Sequence, residues 1–230
     1  DEFRLALEAL ESCDEPATVA CPDMATFYST SDQNYKLVAG QLLAHCEKCK
    51  DRFALIDVPD LSHDDLVNAD PATGFLAGDN WPISTGDDAK FGAAYYPHLV
   101  VNDLKNTLPP SGFVAGAFAR NDSSRGVWKA PANLSVRADK ASQILTNDQT
   151  GALYRAVNAD GTLNTNININ SIRYFADRGL VIWGARTLET APEKKQWLHI
   201  NVRRLITMIE ESIKKSTAWA VFEPNSPATW

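Results

Sequence analysis

Residues 196–223, QWLHINVRRLITMIEESIKKSTAWAVFE, decide the fold class because they predict three consecutive elements. The short apolar segment 197–200 predicts a strand, and Asn201 follows it as a residue type that caps helix N-termini. Apolar residues then recur at helical spacing and predict one buried stripe. The members of this stripe are Val202, Leu205, Ile206, Ile209 and Ile213. Residues 219–222 predict a second strand, which Pro224 ends.

The same strand–helix–strand pattern occurs a second time near the start of the chain. Residues 18–21 predict a buried strand before Pro22, and residues 52–58 predict an apolar strand. Between them, a helix from Gln33 carries a stripe of Tyr35, Val38, Ala39, Leu42, Cys46 and Cys49. Such units join parallel strands by a crossover and need helices over the sheet. The sequence therefore predicts an α/β fold with a mixed, largely parallel sheet flanked by helices and containing β-α-β units.

The middle of the chain predicts further elements and two irregular excursions. Residues 93–101 predict a strand, and residues 112–120 predict a narrow helix rich in Ala and Gly. Residues 59–90 and 134–170 lack sustained periodicity, so we expect variable excursions there, the first of them facing solvent. Within the second excursion, the Asn-rich residues 158–171 predict a loop or hairpin, whose Asn-Ile alternation is compatible with a half-buried edge strand.

A chain of 230 residues can form one large domain or two small ones. The chain is 44% hydrophobic and 22% charged, which is enough apolar surface to bury a core. Its first residues are acidic and helix-forming, and no stretch of eighteen apolar residues occurs, so we expect neither a signal peptide nor a membrane span. Because the chain does not begin with Met, we expect it to be a piece of a longer protein.

Charge is distributed unevenly along the chain. The net charge is −7, but residues 173–215 contain nine basic and five acidic residues, so this block carries +4 and the remainder −11. Such asymmetry can orient subunits head to tail or attract an oppositely charged partner, although a solvated helix face gives the same pattern. The acidic balance and the lack of a basic-aromatic stripe disfavour nucleic-acid binding.

Two groups of residues are candidates for chemistry. Cys46 and Cys49 form a CxxC pair, which can be a redox or zinc site, but both fall on the apolar stripe near the end of their helix, where a core role is expected. Asp60, His63, Asp64 and Asp65 are hard ligands that can hold a divalent metal or simply be solvated. The sequence has no nucleophile elbow, phosphate loop or zinc-protease motif. We therefore expect no catalytic residues, no metal site and no cofactor.

Four tryptophans stand in or beside predicted strands and loops: Trp128, Trp183, Trp197 and Trp219. Large flat side chains more often fill cores or subunit contacts than line sugar sites. We expect one of those two roles for each.

Several short motifs, in this order along the chain, resemble the contractile tail sheath proteins of myovirus phages and of bacteriocin-type particles. From the N-terminus they are HCE (45–47), DRFALID (51–57), AYYP (94–97), PPSG (109–112), VAG (114–116), ARND (119–122), RGVWKAPAN (125–133), NSIRYF (170–175), RG (178–179), WGARTL (183–188), NVRRL (201–205) and FEPN (222–225). Each motif alone is weak, but the ordered set spans about residues 40–230. The resemblance covers residues 59–90 and 134–170 poorly, and it implies that residues 1–230 form one sheath core domain.

The resemblance implies a structural subunit, not an enzyme, in the virion tail, assembled in the cytoplasm of the host bacterium. It implies that subunits form a six-fold helical homopolymer around the tail tube protein, with the baseplate and the tail terminator as further partners. Contraction then drives the tube through the bacterial envelope, with no cofactor, nucleic acid or membrane as partner. Family subunits are linked by exchanged N- and C-terminal arms, and we expect these arms and the outer domains to be absent here, which predicts a monomeric fragment.

The resemblance also indicates which residues carry function. Because the family's C-terminal domain meets the tube through charged surface, Lys194, Lys195, Lys214 and Lys215 are the candidates for contact with a neighbouring subunit or the tube. We expect Arg204 to pair with Glu223 or Glu210. The other motif positions are expected to be structural: Cys46, Asp51, Arg52, Trp128, Pro131, Trp183, Gly184, Arg186, Arg203, Arg204, Phe222, Glu223 and Pro224. The alternatives are a binding module for a tail or host partner, or a thiol or metal α/β enzyme.

Overall fold

The computed structural model describes residues 2–28, 32–68, 75–76, 81, 83–84, 86–101, 107–154, 156–157, 163–164 and 167–227. The α-helices are α1 (Glu2–Leu10), α2 (Met24–Phe27), α3 (Asp32–Cys49), α4 (His63–Val67), α5 (Ser111–Arg125), α6 (Asn147–Ala152) and α7 (Ile200–Ser216). The strands are β1 (Thr18–Ala20), β2 (Phe53–Asp57), β3 (Gly92–Tyr96), β4 (Leu99–Val100), β5 (Thr107–Leu108), β6 (Leu134–Ser135), β7 (Lys140–Ala141), β8 (Ala156–Val157), β9 (Leu163–Asn164), β10 (Ile169–Phe175) and β11 (Gly179–Ile182). Short 3₁₀ helices cover Asp87–Phe91, Pro192–Trp197 and Ala218–Phe222.

The main sheet has six strands in the order β1-β2-β3-β10-β11-β6. The first four strands are parallel, whereas β11 and β6 run antiparallel to their neighbours. Helix α3 joins parallel β1 to β2, which confirms the β-α-β unit predicted near the start of the chain. The predicted fold class is therefore confirmed.

Apolar side chains cover both faces of this sheet. On one face, α3 packs with Ala54, Ile56 and Ala94 in a cluster that includes much of the predicted stripe of α3. On the other face, α5 packs on Phe53, Leu55 and Tyr95, together with Ile200 at the start of α7. Burial on both sides explains why β3, and β2 up to Asp57, have apolar sequences without polar alternation. None of the described helices is long and apolar enough to span a bilayer.

The C-terminal strand–helix–strand prediction is wrong in its two strands. Residues 197–200 end the 3₁₀ helix Pro192–Trp197 and make a single bridge, from His199 to Arg186. Residues 219–222 lie in the 3₁₀ helix Ala218–Phe222, closed by hydrogen bonds such as Ala220 N–H to Thr217 O. A strand needs a neighbour to pair with, and this segment pairs with none of the described strands, so it forms local turns.

The predicted N-cap of α7 is also displaced. The cap position is His199 and the helix begins at Ile200, so Asn201 lies inside the first turn. Its Nδ2 donates to Trp128 O at 3.0 Å instead of capping the helix. The Asn201 side chain therefore makes a tertiary hydrogen bond to Trp128 and not the cap that its residue type favours.

Two predictions for the irregular excursions are corrected as well. Strand β10 includes the last three residues of the Asn-rich segment, 169–171, and lies between β3 and β11 inside the sheet, not at its edge. In the first excursion Phe75, Trp81 and Ile83 are buried and not solvent-facing, and the Phe75 ring lies 5.6 Å from Tyr35 of α3. Much of both excursions, including 69–74, 77–80 and 158–162, lies outside the described residues.

Candidate functional site

Helix α7 packs on the rest of the chain with its polar side. Ile200, Arg203 and Arg204 are its buried residues, and both arginines are more than nine-tenths buried. At 3.6 residues per turn, these positions lie opposite the apolar stripe predicted from the sequence. The helix is correctly predicted, but the face that contacts the body of the chain is the opposite of the predicted one.

Arg203 is held by aromatic and polar groups together. Its guanidinium carbon lies 4.8 Å from the centre of the Phe91 ring and 4.7 Å from that of Trp197. Its Nη2 donates to Glu210 Oε2 at 2.7 Å, and its Nε donates to Thr207 Oγ1 at 3.2 Å. A planar cation between rings, with donors satisfied along its own helix, is a stable way to bury this charge.

Arg204 joins α7 to the end of α5. Its Nη1 donates to Asp122 Oδ1 at 3.1 Å and its Nη2 donates to Asp122 Oδ2, while the guanidinium lies 4.8 Å from the centre of the Phe118 ring. The expected pairing of Arg204 with Glu223 or Glu210 is therefore wrong. Glu210 is the partner of Arg203, and Asp122 offers a fork that accepts both donors of Arg204.

The apolar stripe of α7 points away from the described body of the chain. Val202, Leu205 and Ile206 are only partly covered, Ile209 is 40% exposed and Ile213 is 56% exposed. We call the five residues Val202, Leu205, Ile206, Ile209 and Ile213 the outer face of α7. An amphipathic helix on the surface of an isolated protein normally turns such a face inward. In α7 this face points away from the described body of the chain instead.

The segment after α7 also exposes apolar side chains. Trp219 and Val221 are exposed, and Phe222 is 98% exposed. The motif residues Glu223 and Pro224 are exposed as well. Trp128 and Trp183 are also exposed, so of the two roles expected for the tryptophans a core role is wrong for Trp128, Trp183 and Trp219, and their role in subunit contacts stays a prediction. Trp197 is half-buried and packs against Arg203.

Most N-terminal motif residues have structural positions. Arg52 is buried; it donates to both carboxylate oxygens of Asp51, to Leu10 O at 3.0 Å and to Cys13 O at 2.7 Å. It thereby ties the end of α1 to the start of β2. Cys46 is fully buried, and burial raises the pKa of its thiol well above the ordinary value, which disfavours the thiolate that redox chemistry requires.

The WGARTL motif is held by a buried asparagine that sequence analysis did not single out. Asn170 Nδ2 donates to Ala94 O at 3.1 Å and to Arg186 O at 2.8 Å, and its Oδ1 accepts from Arg186 N–H at 2.8 Å. A Cβ on Gly184 would lie 2.6 Å from that Oδ1, so a larger residue does not fit there. The available signals were the NSIRYF motif, which Asn170 begins, and the Asn-Ile alternation before it.

A second residue missed at the sequence level is Asp57, at the end of β2. Its Oδ1 accepts from Ser111 N–H, at the start of α5, at 2.7 Å, and the Tyr35 hydroxyl of α3 donates to Asp57 O at 3.1 Å. Burial raises the pKa of this carboxyl to about 7, although the bonds from Ser111 act in the opposite direction. Asp57 therefore contacts helices on both faces of the sheet, α5 through its carboxyl and α3 through its backbone carbonyl.

The residues considered for metal binding have separate hydrogen-bond partners. Asp60 Oδ1 accepts from Ser142 Oγ, Asp65 Oδ2 accepts from Ser62 Oγ, and His63 Nε2 lies 3.1 Å from Gln149 O. Across the part of the chain that the structure describes, no three His, Cys, Asp or Glu side chains converge in a way that could hold a metal ion.

The four candidate interface lysines form two separate pairs. Lys194 Nζ lies 2.6 Å from Asp87 Oδ1 and 3.8 Å from Glu189 Oε2, next to the exposed Lys195. Lys214 and Lys215 lie at the other end of α7 and pair with Glu211 at 3.8 Å and 3.1 Å. Since α7 has 17 residues, about 25 Å separates its ends. The structure therefore does not bring the four lysines together.

The described residues thus form an α/β domain with an outward apolar helix, and sequence comparison shows which proteins the chain resembles. The chain is 29% identical over 166 residues to the tail sheath protein of Enterobacteria phage T4, a match that covers 72% of this chain and 24% of that protein. It is 27% identical over 212 residues to the tail sheath protein of Salmonella phage ViI, covering 83% of this chain and 31% of that protein. No family model matches the chain.

Solved structures of contractile particles have the same fold. The chain matches the helical sheath of the anti-feeding prophage in its contracted state at 34% identity and a TM-score of 0.69, covering 99% of this chain and 54% of that one. A chain of the contracted anti-feeding prophage baseplate gives a TM-score of 0.77 at 28% identity, covering 100% and 57%. The chain is therefore homologous to contractile tail sheath proteins. It spans about a quarter to a third of the length of the curated relatives it matches.

Proposed function

We propose that this chain is part of a sheath subunit that polymerises around a tail tube and contracts to drive the tube through a bacterial envelope. The observation that supports this proposal most directly is the outer face of α7, which fits an assembly subunit and does not fit a self-contained globule. The matched relatives are structural proteins, which suggests a non-enzymatic role. A virion tail component is the corresponding location, with assembly in the host cytoplasm.

Contraction of such a subunit is a change between two arrangements of its contacts with neighbouring copies. A small free-energy difference per subunit is summed over many copies, so the polymer can do mechanical work without a cofactor. The proposed partners are other sheath subunits in a six-fold helical homopolymer, the tube protein, the baseplate and the tail terminator. The 230 residues alone are proposed to stay monomeric, because they correspond to a minor part of each curated relative.

The first test is electron microscopy in negative stain of the full-length protein beside these 230 residues. We expect tubes or stacked rings from the full-length protein and neither from the shorter chain. If neither protein assembles but the full-length one binds a tail or host protein stably, the chain is a binding module and the sheath proposal is wrong. Discrete polymers from the 230 residues would contradict the monomer proposal.

The second test concerns the lysines at the end of α7. Reversing Lys214 and Lys215 to Glu in the full-length protein should weaken assembly, because Glu211 loses its cationic partners and the end of the helix loses favourable charge. Lys140→Glu, on the exposed strand β7, is the matched control. Assembly of the Lys214/Lys215 variant at the level of that control would exclude these lysines as contact residues.

A further inference from the structure

Two cavities of opposite charge lie at the two ends of α7. The first, which we call the acidic groove, has a volume of about 330 Å³ and lies between the C-terminal half of α7, the residues before β1 and the end of α5. Its floor is apolar and comprises Pro16, Ala17, Phe53, Val127 and Met208. Its polar lining has five carboxylates and two cations: Asp14, Glu15, Asp51, Asp122, Glu211, Arg204 and Lys215.

Most of these charges are already paired, but two are not. Asp122 binds Arg204, Asp51 binds Arg52, and Glu211 binds Lys215. Asp14 and Glu15 are exposed and make no salt bridge with any described residue. The negative end of the α7 dipole adds to their charge at this place. The groove thus has the properties of a site for a long cationic side chain, which lays its methylene stem on apolar floor and its charge at an acidic rim.

The second cavity, which we call the basic surface, has a volume of about 430 Å³ and lies at the N-terminal end of α7. Its charged lining residues are three cations, Arg186, Lys194 and Lys195, and one carboxylate, Glu189, and His199 lies beside them. Lys194 is bound by Asp87 and Glu189, whereas Lys195 is exposed and has no salt bridge among the described residues. The Arg186 guanidinium lies 4.5 Å from the centre of the Tyr154 ring, with Asn168 Oδ1 at 3.4 Å from its Nη1. The positive end of the helix dipole reinforces this charge.

The acidic groove and the basic surface lie at opposite ends of one rigid helix about 25 Å long, so they cannot meet within one chain. The acidic groove of one copy can meet the basic surface of another copy. A contact that joins different patches of identical chains is heterologous, and its repetition generates a ring or a helix. This is the symmetry of the helical sheath to which the chain is similar. Charge complementarity therefore favours a second copy of this chain as the occupant of the groove.

We propose that the acidic groove of one sheath subunit binds the basic surface of the next, so that Lys195 of one copy lies beside Asp14 and Glu15 of the other. This proposal rests on the proposed function. The contact is head to tail and electrostatic at its rim. It is therefore weakened by salt, since exposed charges are screened over about 8 Å at physiological ionic strength.

The test is a charge swap in the full-length protein, with the protein concentration needed for assembly at low salt as the readout. Glu15→Lys and Lys195→Glu should each raise that concentration by about tenfold, because each places like charges together. The double variant E15K/K195E should recover most of the loss, since the opposite charges are restored with reversed positions. Asp148→Lys and Lys140→Glu, both exposed and outside the two cavities, are the matched controls and should assemble normally.

A measurement on the unmutated protein keeps the test independent of folding. Carbodiimide joins a carboxylate to an amine in direct contact, so a mixture of isotopically light and heavy subunits should yield mixed-label Glu15–Lys195 or Asp14–Lys195 peptides by mass spectrometry. If wild-type sheaths form, but the single variants match the controls and these peptides are missing, the proposed contact is wrong and the proposed function stands. Cross-links from Glu15 to the tube protein instead would also overturn the contact. Failure of the wild-type protein to assemble would remove the proposed function itself.

Discussion

Helices α3 and α7 have the same kind of sequence pattern and opposite orientations. In α3 the predicted stripe faces the sheet, with Tyr35, Ala39, Leu42 and Cys46 buried. In α7 the stripe faces outward, and the residues that contact the body of the chain are two arginines with aromatic and carboxylate partners. Periodicity thus predicts a helix and its two faces, but it does not predict which face the rest of the same chain covers.

The largest effect on the free energy of unfolding is expected from a substitution in the buried stripe of α3. Leu42→Ala in α3 should lower the free energy of unfolding by about 2–5 kcal/mol, because the Leu42 side chain is only 2% exposed and its removal leaves a cavity in the core. Urea denaturation monitored by circular dichroism measures this loss. A loss below about 1 kcal/mol would mean that α3 is not packed as described.

The α3 side can be examined further through the contribution of Asp57 to the pH dependence of stability. Its pKa of about 7 exceeds the ordinary value near 4, so between these pH values the folded state holds a proton that the unfolded state has lost. The stabilising contribution is complete below about pH 4 and is lost as pH rises to 7, by up to about 1.4 kcal/mol per pH unit. Asp57→Asn should remove this part of the slope in urea titrations from pH 4 to 8.

The matched control for that titration is Asp177→Asn, in the exposed turn between β10 and β11. It should leave the pH dependence of the wild-type protein unchanged. If Asp57→Asn and Asp177→Asn give the same curve as the wild type, the Asp57 carboxyl does not hold a proton in the folded protein at pH 6.

A smaller effect is expected where α7 contacts α5. Arg204→Ala should lower the free energy of unfolding by about 1.5–3 kcal/mol, since it removes a charge-assisted pair and leaves Asp122 without its partner. Arg204→Lys keeps the charge but loses the second donor, so it should recover only part of the stability. Equal stability of all three proteins would show that the polar side of α7 does not hold the helix in place.

The smallest effect on stability is expected at the outer face of α7. Ile213→Ser in the 230-residue chain should change the free energy of unfolding by less than about 0.5 kcal/mol, because the side chain is already 56% exposed. In the full-length protein the same substitution should reduce assembly in sedimentation assays. A large stability loss in the 230-residue chain would mean that this face is already covered and would remove the contrast with α3.

The sequence is sufficient to predict the α/β class, the parallel core and the positions of α3, α5 and α7, because these depend on local periodicity and strand composition. It is not sufficient to predict what pairs over long distances. Arg204 finds Asp122, 82 positions away, and Asn170 binds Ala94, 76 positions away. Residues 219–222 have the composition of a strand, but they pair with no strand among the described residues. A local sequence pattern does not show whether a pairing strand is present.

The central position of β10 has a consequence for how the chain folds during synthesis. Ala94 of β3 pairs with Ile169 of β10, so the sheet cannot close on that side until the ribosome has released both segments. Until then β3, an entirely buried apolar strand in the finished fold, has one open edge that can pair with other chains. Long loop closures of this kind slow folding and prolong the exposure of such edges. Solubility during expression should therefore depend on how quickly β10 reaches β3.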